Sequence, residues 1–179
     1  MIFRETRLKG AYLIEMELVE DNRGFFARSF CQEEFKHHGI DLDIRQCNFS
    51  FNKKKGTLRG MHYQSSPYEE EKLITCIKGS IYDVIIDLRS GSPTYCQWFS
   101  AELSSKNQNM LYIPKGFAHG FQALEDDSVV FYQMSEYYHP ENAKGVKWDD
   151  SEFEIKWPHD ISAISQKDKD YSLYKKRIL

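Results

Sequence analysis

The segments Arg59-Gly60-Met61-His62-Tyr63-Gln64 and Pro114-Lys115-Gly116-Phe117-Ala118-His119-Gly120-Phe121 each set an imidazole beside cations and turn-forming residues. Their glycines and Pro114 allow tight turns, so both histidines are expected at strand edges, converging with the cations in the mouth of a β-barrel. Such a pocket can move protons on a bound sugar. Gln64 lies two residues from His62 and therefore on the same face of a strand, which makes that face polar. Arg59, at an odd offset, points the other way unless Gly60 bends the strand. On these residues alone His62 reads either as a general base or as a solvated histidine. Lys72 reads either as the solvated end of a strand or as the stabiliser of an oxyanion. Tyr132 stands in the apolar run Val129-Val130-Phe131-Tyr132-Gln133. There a tyrosine ordinarily packs with its hydroxyl satisfied, and only the company of the other groups makes it a candidate acid.

Two strand-borne histidines in a barrel also suit Fe, Mn or Zn. The ligand set is poor, however. The residue two places after His62 is Gln64, an amide and a weak ligand, and the run Glu69-Glu70-Glu71 reads as a charged loop. Three good ligands cannot be gathered on one face without stretching the spacing, so no metal is expected.

Positioning such a pocket needs strands, and the chain supplies them. Leu73 to Lys78, Ile81 to Asp87, Gln97 to Leu103, Asn109 to Ile113 and Val129 to Met134 are short β-branched or aromatic runs. Turn clusters such as Lys78-Gly79-Ser80 and Arg89-Ser90-Gly91-Ser92-Pro93 separate them at the regular spacing of an antiparallel sandwich or closed barrel. Glu33 to His38 fits one or two helical turns, and the polar tail from Ser162 to Leu179 reads as a short helix or surface arm. The N-terminal segment up to Glu20 alternates Tyr12, Ile14, Met16 and Leu18, a pattern suited to pairing with a neighbouring copy.

The 179 residues suit one domain, 1–179, with enough apolar content for a core. Twenty-four Lys plus Arg against 27 Asp plus Glu leave a net charge of −3, which provides no general footprint for nucleic acid or an anionic membrane. Any anion site must be local. The N-terminal Met1-Ile2-Phe3-Arg4-Glu5-Thr6-Arg7 breaks into charge at once, and no stretch reaches the apolar length of a signal or membrane-spanning segment, so a cytoplasmic location is expected. Cys31, Cys47, Cys76 and Cys96 are scattered without a Cys-x-x-Cys pair and read as free thiols.

Taken in order, many blocks of this chain resemble the dTDP-4-dehydrorhamnose 3,5-epimerase family of nucleotide-sugar epimerases. The resemblance runs from Asp21-Asn22-Arg23-Gly24-Phe25-Phe26 to Ser165-Gln166-Lys167-Asp168. It passes through Gln46 and Asn48, the Arg59-to-Gln64 and Lys72 blocks, Asp83, Asp87-Leu88-Arg89, the Pro114-to-Phe121 block, Tyr132, Tyr138 and Trp148-Asp149. It implies an all-β cupin jelly roll with a few short peripheral helices, a homodimer without metal or cofactor, and a nucleoside-diphosphate sugar as substrate. By the same resemblance His62 falls at the general base and Asp168 at the carboxylate that orients it. Tyr132 falls at the general acid on the opposite face of the sugar, and Lys72 beside the C4 enolate. Arg23, Arg59, His119 and Lys167 resemble diphosphate and sugar contacts, Gln46 and Asn48 fall among the substrate-binding positions, and Tyr138 resembles the aromatic that stacks on the base. Without the resemblance, Asp168 is one charge in the solvated run Lys167-Asp168-Lys169-Asp170, Arg23 a turn cation and Tyr138 loop packing.

The implied chemistry is coherent. A 4-keto group acidifies the protons on C3 and C5, so one imidazole removes them, a lysine stabilises the enolate, and an acid on the other face completes the inversion. Such a reaction belongs to deoxysugar biosynthesis for surface polysaccharide. Two departures bear on the substrate. Arg28 stands where dTDP-specific members usually carry a glutamate, and Asn142-Ala143 stands where another is usual, so the first departure reverses a charge near the ligand. GDP- or CDP-linked 4-keto sugars, including heptoses, therefore stay open beside dTDP sugars. A sugar-nucleotide ketoisomerase of similar fold and a non-enzymatic sugar-nucleotide-binding cupin are the alternatives. The joint presence of His62, Asp168, Tyr132 and Lys72 favours the epimerase, since a binder needs no acid and base on opposite faces.

Overall fold

The computed structural model describes residues 1–175, so the last four residues of the expected tail lie outside the described residues. The chain begins with β1 (Ile2–Glu5), β2 (Tyr12–Glu15), β3 (Val19–Asp21), β4 (Gly24–Phe26) and the short helix α1 (Gln32–His37). It continues through β5 (Gln46–Asn52), β6 (Leu58–Gln64), β7 (Lys72–Lys78), β8 (Ser80–Asp87) and β9 (Trp98–Ser104). Next come β10 (Asn109–Ile113), β11 (Phe117–Ala123), β12 (Ser128–Met134), β13 (Ala143–Gly145) and the helical turn α2 (Gln166–Lys169). A six-stranded sheet in the order β1-β2-β10-β7-β12-β5 faces a five-stranded sheet in the order β13-β6-β11-β8-β9. These strands pair antiparallel throughout, as the turn spacing implied, and form the cupin-type sandwich that the family resemblance implied.

The hydrophobic pattern explains the layers. Ile74, Cys76, Leu111, Ile113 and Val130 from the larger sheet meet Ile81, Ile85, Leu103, Phe117 and Phe121 from the smaller one in the central core. β8 is buried almost throughout because its other face is covered too, where Val84 and Ile86 pack with Met61, Ala118, Val146 and Phe153. On the outside of the larger sheet Phe35 of α1 packs onto Ile14, Leu73, Met110 and Tyr112. Tyr12 and Met16 pack against this same cluster. The N-terminal alternation therefore serves the chain's own sheet, where β2 is flanked by β1 and β10, and of the four apolar residues only Leu18 is exposed.

One irregularity shapes the site. Between β6 and β11, His119 opposes His62 while Phe121 opposes Arg59, so three steps along β6 match two along β11. This extra residue is a β-bulge, and it reverses the parity that would otherwise send Arg59 to the opposite face from His62. The bulge demands glycine on both strands. A Cβ at Gly60, whose φ is +126°, would stand 2.5 Å from Gly120 Cα, and a Cβ at Gly120 would stand 2.7 Å from the Arg59 carbonyl oxygen.

Candidate active site

A cavity of about 830 Å³ lies between the two sheets. The smaller sheet contributes Arg59, His62, Gln64 and His119, while the larger contributes Gln46, Asn48, Lys72 and Tyr132. Tyr138 and the C-terminal residues Lys167, Asp168 and Tyr171 complete its wall. Ten of the twelve positions proposed from the sequence thus share one cavity, and the two exceptions are on or next to the β3–β4 hairpin.

His62 and His119 sit within strands as direct cross-strand partners, not at strand edges. Each is backed by a carboxylate. His62 Nε2 lies 2.7 Å from Asp168 Oδ1, whose second oxygen accepts the Gly60 backbone N–H at 3.2 Å. Ser165 caps α2 by accepting the Asp168 backbone N–H, which holds the carboxylate in place. The tail is therefore not a free arm. Burial opposes ionisation of Asp168, but its hydrogen bonds from His62, Gly60 and the Ser165 region outweigh that cost and hold its carboxyl below the usual carboxylate range. His119 Nε2 lies 2.9 Å from Asp83 Oδ2, and both side chains are buried. Burial pushes the Asp83 carboxyl up, and its other oxygen has no hydrogen-bond partner.

Because the folded-state pKa of Asp168 is depressed, its contribution to stability is present above the unfolded value of about 3.9 and is lost as pH falls through the folded value. Asp168→Asn is thus expected to be less stable than the parent at neutral pH, with the gap in denaturant midpoint closing below about pH 4. Urea titrations at several pH values read this directly, and a gap independent of pH would exclude the assignment of charge to Asp168.

Tyr132 faces the cavity from the sheet opposite His62. Burial raises its pKa, with the Arg59 guanidinium opposing, so the phenol keeps its proton at neutral pH. Arg59 is fixed by Asn52 Oδ1 at 2.8 Å and the Phe51 carbonyl at 3.2 Å. Lys72 is not a solvated strand end. It is 7% exposed, and its Nζ pairs with Glu70 Oε1 at 2.9 Å.

Gln64 is structural. Its side-chain amide donates to the Tyr68 and Tyr137 carbonyls and accepts from the His139 N–H, tying together the loops at the rim. Gln46 Oε1 accepts the Tyr138 N–H, which presents that exposed ring at the mouth, and Gln46 and Asn48 both donate to Met134 Sδ. Asn142 is tied to Ser65 and Ser66, and Ala143 lines the cavity without a charge.

Two predicted contacts stand apart. Arg23 points into solvent from the β3–β4 turn and pairs with Asp21, while Arg28 pairs with Glu34 of α1 at 2.6 Å. Neither lines the cavity of its own chain. The Arg23–Asp21 pair is exposed and screened by solvent, so it adds little to stability. Sequence reasoning missed Tyr171 altogether. Its ring stands edge-on to His62 at 5.9 Å and packs where any side chain at Gly145 would come within 2.2 Å of it. Burial raises the Tyr171 pKa, and the neighbouring phenol in turn raises that of Lys167. Among the described residues no three His, Cys, Asp or Glu side chains are grouped to hold a metal ion.

The comparisons with known proteins agree with this geometry. The family model described as dTDP-4-dehydrorhamnose 3,5-epimerase matches residues 5–176. The dTDP-4-dehydrorhamnose 3,5-epimerase of Methanothermobacter thermautotrophicus is 41% identical over 172 residues, covering 94% of this chain and 92% of the relative. The crystal structure of the Bacillus anthracis enzyme with TDP and PPi bound superposes with a TM-score of 0.92 at 40% identity, covering 97% of this chain and 99% of that one. A Legionella pneumophila relative in complex with dTDP-4-keto-L-rhamnose superposes with a TM-score of 0.91 at 37% identity, covering 96% and 92%. His62 and Tyr132 facing one cavity from opposite sheets, a matching family model over nearly the whole length and relatives near 40% identity lead to one conclusion: the chain belongs to the dTDP-4-dehydrorhamnose 3,5-epimerase family of isomerases.

Proposed function

We propose that the cavity binds a dTDP-linked 4-keto-6-deoxy sugar and inverts C3, C5 or both by way of an enolate, in deoxysugar biosynthesis. The observation that carries this reading is the placement of His62 with Asp168 on one sheet and Tyr132 on the facing sheet of a single cavity. An ionised Asp168 accepts the Nε2 proton of His62, which leaves Nδ1 as the basic atom. That nitrogen takes the proton from carbon, and the electron pair moves onto the 4-keto oxygen, where the Lys72 ammonium offsets the new charge. Asp168 stabilises the imidazolium so formed. Tyr132 then delivers its proton from the other side, and Arg59, whose charge lowers the Tyr132 pKa, steadies the phenolate. The His62 side chain is 43% exposed, so solvent can restore both groups.

Lys167 and Arg59 are suited to the diphosphate, His119 to the sugar, and Tyr138 at the rim to the nucleobase. The relative bound to dTDP-4-keto-L-rhamnose supports a dTDP sugar over GDP- or CDP-linked analogues. Incubation with the dTDP-, GDP- and CDP-linked 4-keto sugars in deuterated water tests this. Deuterium is expected at C3, C5 or both of the dTDP sugar, read by NMR, and carbonyl migration instead would identify a ketoisomerase.

A homodimer completes the reading. Phe26 on β4 is 74% exposed and Phe49 on the edge strand β5 is 69% exposed, each beside a further half-exposed phenylalanine, and monomeric proteins rarely leave such groups uncovered. The same assembly would give Arg23 and Arg28, which cannot line their own cavity, a ligand in the neighbouring one. Sedimentation equilibrium at micromolar concentration is expected to return twice the chain mass, and a monomer mass would reject the assembly.

A further inference from the structure

The acidic run Glu69-Glu70-Glu71 reads as a solvated loop, yet Glu70 is 7% exposed and lines the cavity. Its two oxygens are divided between two strands. Oε1 pairs with Lys72 Nζ at 2.9 Å, while Oε2 accepts the backbone N–H of Gln64 at 3.1 Å. Gln64 is two residues from His62 on β6, and Lys72 opens β7, so one carboxylate ties the strand of the base to the ammonium.

A lysine tip has four rotatable bonds behind it, and one fixed partner selects among its rotamers. The remaining contact of Nζ, to the His62 carbonyl oxygen at 3.4 Å, is too long to do so. A competitor is close at hand. Asp83 is fully buried, has an oxygen without a partner and lies within the field of Lys72. Freed from Glu70, the ammonium would be drawn toward the buried Asp83, which pairs with His119 and does not itself line the cavity.

We propose that Glu70 is a positioning residue for the epimerase reaction, holding the Lys72 ammonium at a fixed place relative to His62 and away from Asp83, where it meets the oxygen on which enolate charge develops. The inference rests on the assignment of Lys72 to that oxygen. A displacement of about 1 Å at such a group costs on the order of 10²-fold in rate.

A double-mutant cycle on the full chain with dTDP-4-keto-L-rhamnose in deuterated water tests this, following exchange by NMR and dTDP binding by calorimetry. Glu70→Gln, which keeps the shape and removes the charge, is expected to lower kcat by roughly 10- to 100-fold while KM and the Kd for dTDP stay within about twofold. In a Lys72→Met background the same substitution is expected to have no further effect, since it acts only through the ammonium. An equal fall in both backgrounds would show that Glu70 merely supports the β6 backbone, and a parental kcat in Glu70→Gln would show that it positions nothing. Either overturns the inference while leaving the role of Lys72 intact. Parental exchange in Lys72→Met alone would instead overturn the role of Lys72, and the inference with it. Should Glu70→Gln fail to bind dTDP, Glu70→Asp keeps the charge and withdraws it by one methylene. A fall in its kcat with unchanged dTDP binding supports the inference, and a parental kcat overturns it.

Discussion

The His62→Ala protein is expected to lose hydrogen exchange at both C3 and C5 while still binding dTDP. Removing a general base costs about 10²–10⁴ in rate. The imidazole of His119, the cross-strand partner of His62, is buried against Asp83. The groups proposed for the nucleotide, Lys167 and Tyr138, are untouched, so calorimetry should return a Kd for dTDP within a few-fold of the parent. The variant should also be less stable, because Asp168 keeps its burial and loses a hydrogen-bond partner, at a cost of about 1–3 kcal/mol. His62→Asn separates the two effects, since its amide can donate toward Asp168 without acting as a base. Exchange in either variant above a small fraction of the parental rate would reject His62 as the base.

Replacing Tyr132 by phenylalanine should divide the reaction in two. His62, Asp168 and Lys72 stay in place, so the enolate still forms, but the imidazolium on the original side becomes the nearest source of a proton. Deuterium should therefore enter the sugar with retained configuration, while the yield of epimer falls by about 10²–10⁴. The competing view holds that Tyr132 only packs in an apolar strand. In that case removing one hydroxyl costs no more than about 1 kcal/mol of stability and leaves the ratio of exchange to inversion as it was. NMR reads isotope content and configuration in the same sample, so an unchanged ratio in a folded variant would exclude Tyr132 as the acid even if His62 proves essential.

Much of the sandwich was legible because its strands are short and separated by strong turn chemistry. The runs at Leu73, Ile81, Asn109 and Val129 lie within a residue of where β7, β8, β10 and β12 begin. Long-range relations were not legible. Asp168 lies 106 residues from His62 in a tail of alternating charge, and nothing local reveals that a Ser165 cap will fold it beneath the imidazole. Glu70 was hidden for the opposite reason. Its neighbours are acidic, and the burial that distinguishes it comes from β6 and Lys72. Period-two reasoning placed Gln64 correctly and left Arg59 undecided, because strand parity is broken by a bulge defined by the partner strand. The apolar alternation at Tyr12, Ile14 and Met16 was real, but a hydrophobic stripe does not say which surface will cover it, and here α1 and β10 do so.

The paired glycines at the bulge bear on how this enzyme can change. Gly60 and Gly120 bring two backbones closer than any side chain allows, and the two imidazoles hang from the strands so joined. The spacing between His62 and His119 is thus held by main chain, which substitution cannot adjust in small steps. On the proposed reading, acquisition of a new sugar or nucleotide is therefore channelled to cavity side chains away from the bulge, such as Tyr138, Ala143 and Lys167. On the proposed mechanism, proton transfer is the part this scaffold holds fixed, and recognition is the part free to diverge.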